Sequence, residues 1–166
     1  MGEPALRDTP RAGEPTGASS SCARYEDDLY TWVQEQVALL RAGAVDGLDL
    51  GNLAEELGDV GAEQYHRLQS ALENLLMPML RWDHQPERRS RSWVLSIVEH
   101  RERISIVLRK NPGLKPYRTE AVQDGFRLGR VRAAREMKRD LETLPTSCPY
   151  SWDDILSRSF VLDSDS

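Results

Sequence analysis

From Tyr25 onward, apolar side chains recur every three or four residues, the period that places them on one face of an α-helix. Leu29, Trp32, Val33, Val37 and Leu40 form the first stripe, and Gly43 ends it. Gly47, Asp49 and Gly51 mark a connection. A longer stripe follows through Leu50, Leu53, Leu57, Val60, Leu68, Leu72, Leu75, Leu76, Met79 and Leu80, which predicts one central helix or two. Gly58 and Gly61 each weaken a helix by about 1 kcal/mol relative to alanine, so a bend or break is expected there. Pro78 removes a hydrogen bond and crowds the turn before it, costing about 3 kcal/mol, which predicts a kink one turn before Trp82.

Gln85-Pro86 closes a hairpin, and Ser90 or Ser92 is placed to cap a third helix with Trp93, Ile97, Ile104 and Leu108 on its buried face. Asn111-Pro112-Gly113 ends that helix. Pro116 suits the first position of a fourth, carried by Tyr117, Ala121, Val122, Phe126, Val131, Ala134 and Met137 and stopped before Pro145. Its Gly125 and Gly129 share a face, a pairing that permits close helix packing. Ser151 caps a short terminal helix reaching Leu156. The expected fold is therefore all-α: an antiparallel bundle of four main helices with a short C-terminal helix.

Composition refines the boundaries. Residues 1–24 mix Gly, Pro, Ser and Thr with almost no large apolar side chains, too little to offset ordering entropy, so a disordered tail is expected there. A single helical domain is expected over 25–160, with a flexible acidic end over 161–166. The formal net charge of −5 argues against general polyanion binding and confines any nucleic-acid site to a local basic patch. Cys22 and Cys148 are too far apart in sequence for a thiol-metal motif and suit a reducing cytoplasm. Neither a membrane-length apolar run nor the apolar core of a secretory signal is visible.

Candidate chemistry concentrates between the second and third helices, where Trp82, Arg88, Arg89, Arg91 and Trp93 crowd the joint. The three arginines stand at or just before a helix N-terminus, where the dipole disfavours each by about 0.3 to 1 kcal/mol. One reading pairs them with Glu87, Asp83 or the carboxylates of Glu55 and Glu56, their stems covering the two tryptophans. The other has guanidinium forks, free helix amides and an indole face bind a phosphate or an acidic peptide. Arg101, Arg103, Arg109 and Lys110 extend basic character along the third helix, as do Arg127, Arg130, Arg132, Arg135, Lys138 and Arg139 along the fourth.

Enzymatic signatures are sparse. Glu63-x-x-His66 has the spacing of half a di-iron carboxylate site, but no second Glu-x-x-His supplies the other half. Asp83 and His84 are adjacent and point in different directions on a helix. There is no nucleophile elbow, phosphate loop or dinucleotide fingerprint, and neither a metal nor a cofactor is expected.

Four ordered blocks carry a family resemblance: Tyr25-Glu-Asp-Asp-Leu-Tyr-Thr-Trp32; Leu48-Asp-Leu-Gly-Asn-Leu-Ala-Glu-Glu-Leu57; Leu75-Leu-Met-Pro-Met-Leu-Arg-Trp82 through Gln85-Pro86 to Ser92-Trp93; and Cys148-Pro-Tyr150. From about Tyr25 to Leu156 the chain resembles the bacterial domain of unknown function 29 family. The resemblance implies an all-helical domain and no assigned activity. Similar sequences typically read Leu-Leu-Met-His where this chain has Pro78, so any acid, base or metal-ligand role of that histidine is absent here. The expectation is a small cytoplasmic interaction or regulatory module with a protein partner. Nucleic-acid binding through the basic faces is the alternative, and a metal-dependent enzyme using Glu55, Glu56, Asp59 and His66 the third reading.

Overall fold

The computed structural model describes residues 24–162. The tail expected over 1–24 and the acidic end expected over 161–166 fall outside it, except for Arg24, Val161 and Leu162. Among the described residues the fold is all-α, with α1 (Leu29–Ala42), α2 (Leu50–His84), α3 (Arg91–Lys110), α4 (Arg118–Met137) and α5 (Trp152–Ser157), and short 3₁₀ turns in the connections. The chain divides into two compact units, Met1–Leu53 and Ala54–Ser166.

In the first unit, Asp28 caps α1 by accepting the Thr31 backbone N–H at 3.0 Å. Gly43 ends the helix with φ 69°, a left-handed conformation that glycine adopts without a Cβ clash. Trp32 is buried edge-on against Tyr25, ring centroids 5.0 Å apart. The buried Gln36 accepts the Asp49 backbone N–H at 2.8 Å. Asp49 in turn takes the backbone N–H of Asn52 at 3.3 Å and its side-chain amide at 2.6 Å, capping α2. These bonds hold the Asp49 carboxyl below the usual range. Of the predicted stripe, Trp32 is buried, Val33 and Val37 are half-buried, and Leu29 and Leu40 are exposed.

In the second unit, α2 supplies the spine. It runs unbroken to His84 through Gly58, Gly61 and Pro78, so of the bend or break expected at the glycines, the break does not occur. Leu68, Leu72, Leu75, Leu76, Met79 and Leu80 lose all contact with solvent. Ile97 and Ile104 of α3, Phe126 and Met137 of α4, and Ile155 of α5 complete the core. Tyr117 and Val131, expected inside, are exposed. Pro116 belongs to the 3₁₀ turn Pro112–Tyr117, two residues before α4 begins.

Helix α4 runs parallel to α2 and touches it closely at the glycine pair. A Cβ on Gly125 would stand 3.0 Å from the Gln69 carbonyl, the Glu73 amide and the Leu72 side chain; on Gly129 it would meet the Glu73 carbonyl at 3.1 Å. Polar contacts follow the same direction: the Tyr65 hydroxyl donates to Asp124 at 3.0 Å, and Arg132 donates to Glu73 and Asn74 at 2.9 and 2.7 Å. Helix α3 lies antiparallel between hairpin connections, its end meeting α2 where Asn111 donates to Gln64 at 3.4 Å. Helix α5 opens with the predicted Ser151 cap, a reciprocal box with Asp154. It closes on Arg101, whose guanidinium donates to the carbonyls of Asp154, Ile155 and Arg158.

Candidate functional site

The α2–α3 joint is built around Trp82, which α2 turns into the core at 4% exposure. Phe160 meets its ring edge-on at 5.4 Å, and the Arg89 guanidinium lies over it at 4.9 Å while donating to its carbonyl at 3.1 Å. Trp93 is half-buried beneath Arg81, whose guanidinium sits 4.2 Å from the ring centroid and reaches Glu136 at 3.4 Å. The joint therefore brings together Trp82 and Arg89, and separately Trp93 and Arg81.

Among the described residues, no ion pair joins a carboxylate to Arg88, Arg89 or Arg91. Asp83 instead receives both ends of the Arg158 guanidinium at 2.6 and 2.8 Å and the Tyr150 hydroxyl at 2.8 Å. Burial pushes the Asp83 carboxyl up, but the hydrogen bonds from Arg158 and Tyr150 and the charge of Arg158 outweigh it and hold the group below its usual range. Burial, followed by the bond to Asp83, raises the Tyr150 phenol. Glu55, Glu56 and Asp59 lie toward the other end of α2, roughly 40 Å from the joint at 1.5 Å per residue. They pair with none of the three arginines because the unbroken helix separates them. Arg88 and Arg91 remain exposed at the start of α3, which has no acidic residue in its first turn and no side-chain cap. Ser90, at the cap position, shares a hydrogen bond with Ser92 at 2.8 Å instead.

Tyr150, Arg158 and Phe160 were the missed members of this joint. Tyr150 sits in one of the blocks of the family resemblance, whereas Arg158 and Phe160 follow α5 without any periodic signal.

The basic residues of α3 and α4 divide by role. Arg101 and Arg130 are spent on backbone carbonyls, Arg130 meeting those of Leu141 and Leu144 at 2.8 and 3.2 Å. Arg103 pairs with Glu99, and Arg132 with Glu73. These pairings interrupt a continuous basic groove.

Glu63 and His66 line a cleft of about 600 Å³ with Arg67, Ser70, Asn74 and His100. Glu63 pairs with Arg67, and His66 meets Gln69 at 3.3 Å, so the Glu-x-x-His pair does not converge. Burial lowers the basicity of His100. Among the described residues, no three His, Cys, Asp or Glu side chains form a group able to hold a metal ion. Cys148 is a half-buried thiol raised by burial, the opposite of an activated nucleophile. No helix among the described residues is long and apolar enough to cross a membrane.

A second feature lies on α2 away from the joint. Leu50, Leu57 and Val60 are 65%, 70% and 57% exposed. Leu57 and Val60 lie on the side of the helix from which Ala71, Leu75 and Trp82 enter the core.

A family model described as a domain of unknown function, DUF29, matches residues 24–161, and the chain belongs to that family. No curated protein and no solved structure matches it.

Proposed function

We propose that this chain is a protein-interaction module whose docking face includes the exposed Leu57 and Val60 of α2, working in a reducing cytoplasm that its separated cysteines suit. The observation that supports this reading is the exposure of Leu57 and Val60 on a side of α2 that is buried three to four turns later. Covering an exposed leucine contributes about 1.5–3 kcal/mol, enough for a few of them to drive association. Grouped apolar side chains on one surface mark partner sites more often than isolated ones do.

A second reading, contact of the joint with an acidic segment or nucleic acid, draws on the exposed Arg88 and Arg91 beside an uncapped helix N-terminus. Trp82, Arg89 and Trp93 would form its floor. The engaged arginines of α3 and α4 reduce the area available to nucleic acid.

Affinity capture with the full chain as bait distinguishes these readings. Leu57→Lys is expected to abolish recovery of the specific partner while helix content is unchanged, and Arg88→Ala/Arg91→Ala is expected to leave it intact. Equal recovery with wild type and Leu57→Lys would contradict the apolar face as the docking site. Loss only in the arginine variant, with steep salt dependence, would favour the joint.

A further inference from the structure

Where α3 ends and α4 begins, two cavities share a wall. One, of about 350 Å³, is lined by Val122 of α4, by Cys148 and Tyr150 of the segment after it, and by Ile155 of α5. The other, of about 480 Å³, is lined by Arg109 of α3, by Lys115 of the 3₁₀ turn and by Leu156 of α5. Arg118 and Trp152 border both. We propose that the two cavities together bind a small carboxylate with a hydrophobic body, the carboxylate held by Arg118, Arg109 and Lys115 and the body seated beside Trp152. The site lies within the unit Ala54–Ser166 and does not depend on the reading of the α2 face.

Charge is the first ground. The formal net charge of the chain is −5, yet no Asp or Glu lines either cavity and three cations stand around the second. Among the described residues, no ion pair includes Arg109, Lys115 or Arg118. The two acids of α5 have other partners, Asp154 bonding to Ser151 at 2.6 Å and Asp153 to Ser157 at 3.4 Å. Arg109 complements the dipole at the C-terminal end of α3, which accounts for it without a ligand. Arg118 has no such explanation, because it opens α4, where the dipole opposes a cation.

The Arg118 guanidinium is nonetheless fixed in place. Its Nε donates to the Lys115 carbonyl at 2.9 Å, and the group lies over the Trp152 ring, 5.2 Å from the centroid. Among the described residues its two Nη groups donate to no acceptor, which leaves a pre-positioned fork for an external carboxylate. The adjoining cavity supplies the apolar half. Ile155 is buried and Val122 half-buried, and the Tyr150 hydroxyl is engaged by Asp83, so Tyr150 contributes its ring rather than a free polar group. A volume of about 350 Å³ is near the lower end of the roughly 300–1,000 Å³ of ligand sites, which suits a small molecule.

Isothermal titration calorimetry of the full chain with phenylbutyrate, phenylbutyramide and acetate separates the charge from the body. Phenylbutyrate is expected to bind with a sub-millimolar Kd, and the neutral amide and the bodiless acetate each about tenfold more weakly or worse. Arg118→Met keeps an unbranched stem over Trp152 and removes the guanidinium, and is expected to weaken phenylbutyrate about tenfold. Arg135→Met, at an exposed position of α4 outside both cavities, is expected to leave it unchanged. Circular dichroism of each variant confirms that the helices persist. Location is read separately: in a Cys22→Ser chain, phenylbutyrate is expected to slow alkylation of Cys148 by iodoacetamide. Absence of phenylbutyrate binding at millimolar concentration overturns the site, as does equal binding of the amide. Equal binding of acetate contradicts the apolar half. Cys148 alkylated at one rate with and without bound phenylbutyrate places the carboxylate elsewhere and overturns the assignment.

Discussion

Helix α2 carries one apolar stripe through two surroundings. From Leu68 to Trp82 the stripe is enclosed by α3, α4 and the segment around Phe160, and Leu68, Leu72, Leu75, Leu76, Met79 and Leu80 are fully buried. At Leu57 and Val60, on the same side of the same helix, more than half of each side chain is exposed. The two stretches share a pattern and differ in coverage, so periodicity identifies a face built for contact without saying which molecule supplies the contact. The glycines repeat the lesson. Gly125 and Gly129 admit the backbone of α2 to close range, whereas Gly58 and Gly61 face open space. A glycine within a helix weakens it by about 1 kcal/mol relative to alanine, and only the first pair is offset by close packing within the chain.

The contrast is broken or sharpened first by truncating leucines on either side of it. Leu72→Ala opens a cavity in the core and is expected to destabilise the chain by about 2–5 kcal/mol, whereas Leu57→Ala is expected to change the stability of the monomer by less than about 0.5 kcal/mol. Urea denaturation at low protein concentration measures both. Equal losses would mean that the exposed stretch is packed within the monomer.

Smaller effects are expected at the glycines. Gly125→Ala forces a methyl against backbone on α2 and is expected to destabilise by about 1–3 kcal/mol despite its better helix propensity. Gly61→Ala has nothing to displace and is expected to stabilise by about 0.4–1 kcal/mol. Thermal unfolding reads the opposite signs. A stabilising Gly125→Ala would show that α4 stands farther from α2 than the structure places it.

The Asp83 latch gives a weaker effect that depends on pH. Its folded-state carboxyl lies below the unfolded value, so the stability it contributes is present above the unfolded value, about 3.9, and is lost as pH falls through the folded value. Asp83→Asn is expected to lower the melting temperature at neutral pH and to flatten its decline in acid. An unchanged acid profile would show that the pairing with Arg158 and Tyr150 adds no pH-dependent stability.

Much of this fold was legible from local signals. Gly43, Asn111-Pro112-Gly113 and Ser151 end or begin helices through backbone and capping rules that act within a few residues. The shared face of Gly125 and Gly129 also signals close helix packing, and the structure supplies α2 as the partner helix. What lay beyond reach depended on distance. Asp83 stands close in sequence to Arg88, Arg89 and Arg91, but it pairs with Arg158, 75 residues later, because the chain after α5 returns to the joint. Exposure of Tyr117, Val131 and Leu57 was hidden for the same reason: periodicity shows which face a side chain shares but cannot count the helices that cover it. Of the predicted site, Trp82 and Arg89 do meet, whereas Glu55, Glu56 and Asp59 were joined to it by charge alone and are separated from it by the length of α2.

Amide hydrogen exchange along α2 in the isolated chain tests the contrast in coverage most directly. Protection is expected to be high across Leu68–Trp82 and markedly lower around Leu57 and Val60. Equal protection of the two stretches in the isolated chain would contradict an uncovered face at Leu57 and Val60.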